Sequence, residues 1–403
     1  MPLIAPRFRG LYSALFCVFA LFGTSMTIVG AALPKILSDF GWSYGVAGAV
    51  IAANALAYFL SSLAGGAALR LVGPKRALVG GLAACAAGLA FFAATPSPWL
   101  NLLLNALIGA GQGLLEPTVN WSVLRMEKEG SSRAMNTMHG AFAIGAVAGP
   151  VALGAMLAAG AGWTLLFRGI AGLLAVLAAI LAALPFASLG MPESDASGER
   201  SRAASLARRP AYWLGFSCLL LYVGAELGIS NWISEYFVRV FGAAPERASL
   251  MVSVFWIGLL SGRFGVPALY KGSRQEAVLV AACVLLLVST VALNALGYLA
   301  PGAGALAGPV LVFLSGLGCS IVYPTVVSMV GFSIPEAQAD AVSFAVSGGG
   351  VGLFSFPFLM SWISQGFGIR AGFASYAAVA ALTLVSCVAL ARVFATERAK
   401  RIK

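Results

Sequence analysis

Apolar segments of bilayer-spanning length recur along the whole chain, and nothing else in the sequence restricts its fold as tightly. A transmembrane helix needs about 20 predominantly apolar residues. Runs of that kind are legible at about 11–33, 45–69, 77–95, 99–123, 135–160 and 163–189, then at about 211–234, 248–270, 276–298, 304–332, 339–362 and 370–394. A soluble domain carries about a quarter charged residues. Here 10% of 403 residues are charged and 60% are hydrophobic, so the runs are lipid spans and not soluble cores. Backbone polar groups in lipid must be satisfied inside the segment. The expected fold is therefore an all-α membrane protein of twelve transmembrane helices. The first run outlasts the apolar core of a signal peptide, about 7–15 residues, and is expected to remain as the first helix.

One hydrophilic stretch of any length interrupts this pattern, Met191 to Pro210. Its composition is that of a flexible linker. It divides the chain into an N-terminal six-helix bundle, 1–190, a cytoplasmic linker, 191–210, and a C-terminal six-helix bundle, 211–403. The net charge of +11 resides in short loops, where it signals topology and not polyanion binding, so no nucleic-acid partner is expected. Of the 25 Lys and Arg residues, only Lys35, Arg168, Arg239, Arg247 and Arg370 fall outside the N-terminus, the even-numbered loops and the C-terminus, with Arg263 counted at the inner end of span 8. That asymmetry places both termini in the cytoplasm of a multi-pass inner-membrane protein. The six cysteines are scattered singly, each in a different apolar run. They read as small buried hydrophobes, with no metal, cofactor or disulfide framework expected.

The two halves repeat. Gly109 to Val123 reads GAGQGLLEPTVNWSV and Gly316 to Val330 reads GLGCSIVYPTVVSMV. The shared offset of 207 aligns Pro117-Thr118-Val119 with Pro324-Thr325-Val326, and it also aligns Gly145 with Gly352 and Pro150 with Pro357. Duplicated bundles with a solute site near the midplane are a transporter architecture.

Of 14 acidic residues, the sequence places Glu116 in span 4 and Glu226 in span 7 well inside the membrane. A charge at depth costs about 2.5–3.5 kcal/mol on insertion scales, so each should face a cavity or a partner, or else stay protonated as packing glue. Asn105, Gln112, Glu116 and Asn120 share one helical face, and such a stripe is expected to line the protein interior. Pro117 removes the amide that would bond the Gly113 carbonyl, leaving a kink that suits either a site or a packing bend. In span 5, Asn136 and the only histidine, His139, lie three residues apart. At about 1.5 Å per residue, Glu116 lies about 13 Å deep and His139 about 9 Å. A Glu116–His139 proton relay and a neutral histidine bonded to backbone are both consistent with this. In span 7, Tyr222, Glu226 and Ser230 share a face, with Asn231 and Trp232 just beyond; Tyr323 stands at the repeat position of Glu116. Aromatic rings beside amides and a carboxyl are what a sugar needs. The glycines at 348–350 lie inside a span without a following Lys-Ser/Thr, so they form a packing surface and not a phosphate loop.

At these residues the sequence resembles the major facilitator superfamily, and within it the fucose–galactose–proton symporter family. The motifs are Glu116-Pro-Thr-Val-Asn120, Asn136-x-x-His139-x-x-Phe142 with Gly145-Ala146-x-x-Gly149-Pro150, Gly224-Ala225-Glu226 with Trp232, and Tyr323-Pro324-Thr325. The resemblance implies uptake of a hexose or deoxyhexose coupled to protons, or to sodium in some members, with Glu116 as the coupling carboxylate. Two positions depart from it. Span 1 reads Gly30-Ala-Ala-Leu-Pro34 without the acidic residue of fucose-transporting members, and Arg70 stands where the superfamily's loop signature has an aspartate.

The expected function is cation-coupled uptake of a monosaccharide by alternating access, with the proton as the coupling ion and sodium as the other candidate. Glu116, His139 and Glu226 would handle the proton, and Asn105, Gln112, Asn120, Asn136, Tyr222, Asn231, Trp232 and Tyr323 the solute. Proton-coupled efflux of a small amphipathic compound is the alternative, suggested by the antiporter-like Gly145-x-x-x-Gly149-Pro150; a non-transporting membrane sensor is a remote one. No nucleophile–base or metal-ligand set is visible, so no enzyme is expected. A monomer in the lipid bilayer is expected.

Overall fold

The computed structural model describes residues 4–126, 133–186, 189, 206–270, 274–334 and 338–402, and within these the side chains of 133, 136, 267–268, 338–340 and 399–402 are outside the description. Most of the linker, 191–205, lies outside it as well. Among the described residues twelve α-helices follow in order: α1 (Arg9–Phe40), α2 (Tyr44–Phe91), α3 (Pro98–Met126), α4 (Arg133–Ala158), α5 (Trp163–Ala183), α6 (Pro210–Phe241), α7 (Pro245–Leu269), α8 (Gln275–Leu299), α9 (Gly304–Cys319), α10 (Val322–Ser333), α11 (Gln338–Phe367) and α12 (Ile369–Ile402). Helix elements do not map one to one onto spans. Expected spans 2 and 3 run together as the 48 residues of α2, joined across a non-helical Gly73 that Pro74 follows. Span 10 is instead broken in two, α9 and α10, with Ser320 and Ile321 between them.

Among the described residues, ten helices are long and apolar enough to cross a membrane, α2 counting once. The helix α3 is not among them, because Asn101, Asn105, Gln112, Glu116 and Asn120 lower its hydropathy. With α2 taken as two spans and α3 included, the architecture accommodates twelve crossings. The chain is an all-α membrane protein.

The residues cluster into two compact units. One comprises Met1–Trp42 and Ala49–Asp195, and the other Ser43–Gly48 and Ala196–Lys403. The first turn of α2 thus packs with the second unit. Each unit is held by the same kind of contact at the same repeat positions. In the first, a Cβ on Gly109 would lie 2.1 Å from the Asn54 carbonyl oxygen, and one on Gly145 would lie 1.7 Å from that of Ala20. In the second, a Cβ on Gly316 would lie 2.0 Å from the Phe255 carbonyl oxygen, and one on Gly352 would lie 1.9 Å from that of Leu220. Small residues let membrane helices approach to backbone contact. Here they press α3 against α2 and α4 against α1, then α9 against α7 and α11 against α6. The opening helices of the units also match. Both α1 and α6 have 32 residues and end on a Phe followed by a left-handed glycine, Gly41 (φ 64°) or Gly242 (φ 66°).

Side chains reinforce these contacts where lipid offers no partner. Thr24 Oγ1 donates to the Gly145 carbonyl at 3.0 Å and Tyr12 OH to that of Ala134 at 2.8 Å, both between α1 and α4. Lys75 Nζ donates to the Leu184 carbonyl at 3.0 Å, a cation at the C-terminal end of α5, where the helix dipole favours one. The cysteines are less solitary than their spacing suggests. Cys283 of α8 and Cys218 of α6 both come within thiol–thiol hydrogen-bonding reach of Cys387 of α12.

Candidate functional site

The expected polar stripe on α3 divides among two neighbouring helices. Asn105, almost fully buried, donates its Nδ2 to the Val50 carbonyl at 2.9 Å, while Asn54 donates to the Asn105 backbone oxygen at 3.0 Å and to its Oδ1 at 3.3 Å. These bonds join α3 to α2. Deeper, Gln112 turns to α1 and donates Nε2 to Ser25 Oγ at 2.9 Å, leaving its Oε1 buried without a partner. Glu116 is half-buried and accepts a hydrogen bond from Tyr58 OH of α2. Asn120, one turn on, also has a buried Oδ1 with no partner.

Aromatic rings pack on from Tyr58. Phe22 of α1 lies parallel to Tyr58 with centroids 6.5 Å apart, and Phe142 of α4 meets Phe22 edge-on at 5.2 Å. His139 lies edge-on to Phe19 at 5.5 Å. Asn136 belongs to the same helix, but its side chain is outside the described residues. The first unit therefore offers a Glu–Tyr pair, two unpaired amide oxygens and apolar ring faces. That set can take up a proton at Glu116 and accept hydroxyl hydrogens at Gln112 and Asn120.

Satisfied and unsatisfied amides respond differently to truncation. Asn105→Leu strips partners from the buried Val50 carbonyl and from Asn54. Such losses cost about 1–3 kcal/mol, so the detergent-solubilised variant is expected to melt several degrees lower. The midpoint of a thermal aggregation curve measures this; an unchanged midpoint would remove Asn105 from the packing role.

The second unit carries two polar groupings on α6. In the first, Tyr222 is fully buried and donates its OH to the Cys319 carbonyl at 2.9 Å. Glu226, 7% exposed, lies within hydrogen-bonding reach of Tyr222 and electrostatic reach of Arg263. Arg263 donates Nε to the Ser320 carbonyl at 3.4 Å. It is thus a partner of the protein interior, and not only one of the inner-side charges with which its place at the end of span 8 groups it. Charge counting has no means of telling the two apart. Tyr323 stands half-buried in the first turn of α10, just past the break.

The other grouping lies past residue 234, where span 7 is expected to end; the helix continues to Phe241. Glu235 lies inside α6 and is fully buried; its Oε1 accepts from Arg239 Nε at 2.8 Å and from Tyr44 OH at 3.0 Å, and its Oε2 has no partner. The signal was an i,i+4 Glu–Arg spacing in an apolar helix. Trp232, also fully buried, meets Tyr44 edge-on at 5.8 Å, and its indole nitrogen has no partner. Asn231 beside it is half-buried, and Ser230 accepts from Trp256 Nε1 at 2.9 Å. Among the described residues no group of three or more His, Cys, Asp or Glu is arranged to hold a metal ion.

Comparison with known proteins places this arrangement. Residues 15–311 match the family model described as Major Facilitator Superfamily. A glucose/galactose transporter of Brucella abortus biovar 1 (strain 9-941) is 26% identical over 339 residues, covering 79% of this chain and 78% of that protein. Among solved structures, a nucleoside transporter superposes with a TM-score of 0.75 at 16% identity, covering 96% of this chain and 98% of that one. A D-xylose–proton symporter gives 0.71 at 13% identity, covering 94% and 96%. Two such different cargoes on one backbone show that these likenesses carry the fold alone.

Proposed function

The chain belongs to the Major Facilitator Superfamily, and from that premise we propose that this transporter takes up a monosaccharide together with a proton by alternating access. It is a multi-pass membrane transporter and not an enzyme. The observation that carries the coupling is Glu116, a carboxyl inside a membrane helix whose hydrogen-bond partner is the neutral Tyr58 and not a cation. A carboxyl so placed changes charge by taking a proton, where a salt-bridged one would hold its charge. His139 and Glu226 assist the proton's passage.

Sugar as the cargo is supported by the glucose/galactose transporter relative and by the chemistry of the side chains. In the first unit Gln112 and Asn120 of α3 present unpaired oxygens and α4 carries Asn136; in the second, Trp232 of α6 presents an unpaired indole N–H, with Tyr222 and Asn231 on the same helix and Tyr323 on α10. A pyranose has hydroxyls for these and an apolar face for an aromatic ring. The protein works as a monomer in the inner membrane with both termini in the cytoplasm.

Counterflow tests the reading. Proteoliposomes preloaded with unlabelled galactose or glucose are expected to draw in the labelled sugar, faster at acidic than at alkaline external pH and without dependence on sodium. Absence of counterflow across all monosaccharides would reject the substrate class, and sodium dependence without pH dependence would reject the proton.

A further inference from the structure

The break in span 10 has a chemical cause and an unusual set of partners. Pro324 lacks the N–H that would bond the Ser320 carbonyl four residues back, and the helix is interrupted at Ser320 and Ile321. Non-helical backbone at membrane depth persists only where protein or water satisfies it. Here two side chains do so: Tyr222 OH reaches the Cys319 carbonyl at 2.9 Å and Arg263 Nε the Ser320 carbonyl at 3.4 Å. Both side chains also face Glu226.

Tyr222 has a single hydroxyl hydrogen and two competing acceptors, the Cys319 carbonyl and the Glu226 carboxyl. With Glu226 protonated, the tyrosine can donate to the carbonyl and accept from the acid. With Glu226 ionised, a charge-assisted bond to the carboxylate is about twice as strong as the neutral one to the carbonyl. The same competition applies to the Arg263 guanidinium.

We infer that Tyr222, Glu226 and Arg263 form a proton-sensing clasp on the break in span 10: a neutral Glu226 leaves Tyr222 and Arg263 on the Cys319 and Ser320 carbonyls, and an ionised one draws them away and frees the break. Glu226 gains or loses one proton, Tyr222 keeps its own, and no other bond is made or broken. The other groups set beside these are neutral: Cys319 of α9 with Cys283 of α8 behind it, Cys387 of α12 next to Cys283, and Tyr376 of α12 against Gly228. From Ala341 to Phe367, where its side chains are described, α11 adds only uncharged residues. Arg263 is a positioning residue here, absent from the set read in the sequence. This deepens the coupling role proposed for Glu226 and rests on it.

Hydrogen exchange read by mass spectrometry on the full chain in nanodiscs tests the clasp without using transport. After correction for intrinsic rates, the amides between Ser320 and Thr325 are expected to exchange about tenfold more slowly at about pH 5 than at about pH 8. Glu226→Gln is expected to hold them slow at both pH values, and Tyr222→Phe to hold them fast at both. A Glu226→Gln protein that keeps the wild-type pH dependence would overturn the clasp, as would a Tyr222→Phe protein that exchanges like wild type. Loss of proton-dependent uptake as a reading would show separately, as counterflow indifferent to pH while the exchange pattern stands.

Discussion

A Glu116→Gln transporter is expected to lose uphill accumulation of its sugar while retaining exchange of preloaded sugar. The glutamine keeps an oxygen for Tyr58 OH to donate to, so the local hydrogen bond survives and only the titration is removed. A membrane potential of about 100 mV is worth about 2.3 kcal/mol for each charge moved. At about 1.4 kcal/mol per decade, one proton per sugar sustains about fifty-fold accumulation. The variant should bring that ratio to about one, and counterflow should run within a few-fold of wild type. Accumulation is read in energised vesicles and exchange in de-energised proteoliposomes. Equal loss of both would mean that Glu116 serves binding or folding and not coupling.

The second large effect concerns packing. Gly145→Ala and Gly352→Ala are each expected to prevent recovery of a monodisperse protein. An added Cβ would stand 1.7 Å from the Ala20 carbonyl oxygen in one case and 1.9 Å from that of Leu220 in the other. Both obstacles are backbone, which cannot rotate aside as a side chain does. Ordinary contact is about 3.5–4 Å, so α4 must leave α1, or α11 leave α6. Overpacking costs about 1–3 kcal/mol, and more where nothing can yield. Gly140→Ala and Gly172→Ala are the controls, since nothing lies within 4 Å of either new Cβ. Alanine exceeds glycine in helix propensity by about 1 kcal/mol, so the controls should hold or gain stability. Size-exclusion profiles and melting midpoints compare the four; identical behaviour of Gly145→Ala and Gly140→Ala would refute the close approach.

That these glycines come in matched pairs was readable from the common offset of 207 residues, because a duplicated bundle repeats its tightest contacts. Glu116 and Glu226 were equally legible, a carboxyl in an apolar run being hard to overlook. What the sequence could not resolve was direction. Helical spacing put Asn105, Gln112 and Glu116 on one face, yet a face wide enough to touch two helices sends Asn105 and Glu116 to α2 and Gln112 to α1. Tyr58 escaped notice because nothing in the run around it marks one tyrosine as a carboxyl's partner. Arg263 and Glu235 escaped because both sit near the estimated ends of spans, where a charge is read as belonging to water. The break in span 10 has the same Pro-Thr-Val as the unbroken α3. The difference lies in tertiary partners, Tyr222 and Arg263, which no local pattern reveals.

The thiols have a practical corollary. Of six cysteines, only Cys17 on α1 is exposed, and the other five are buried. Because Cys17 lies within the first span, its exposed face is lipid and not water, so a water-soluble maleimide should leave the native chain unmarked, and a cysteine introduced in a loop can be labelled without first removing the endogenous thiols.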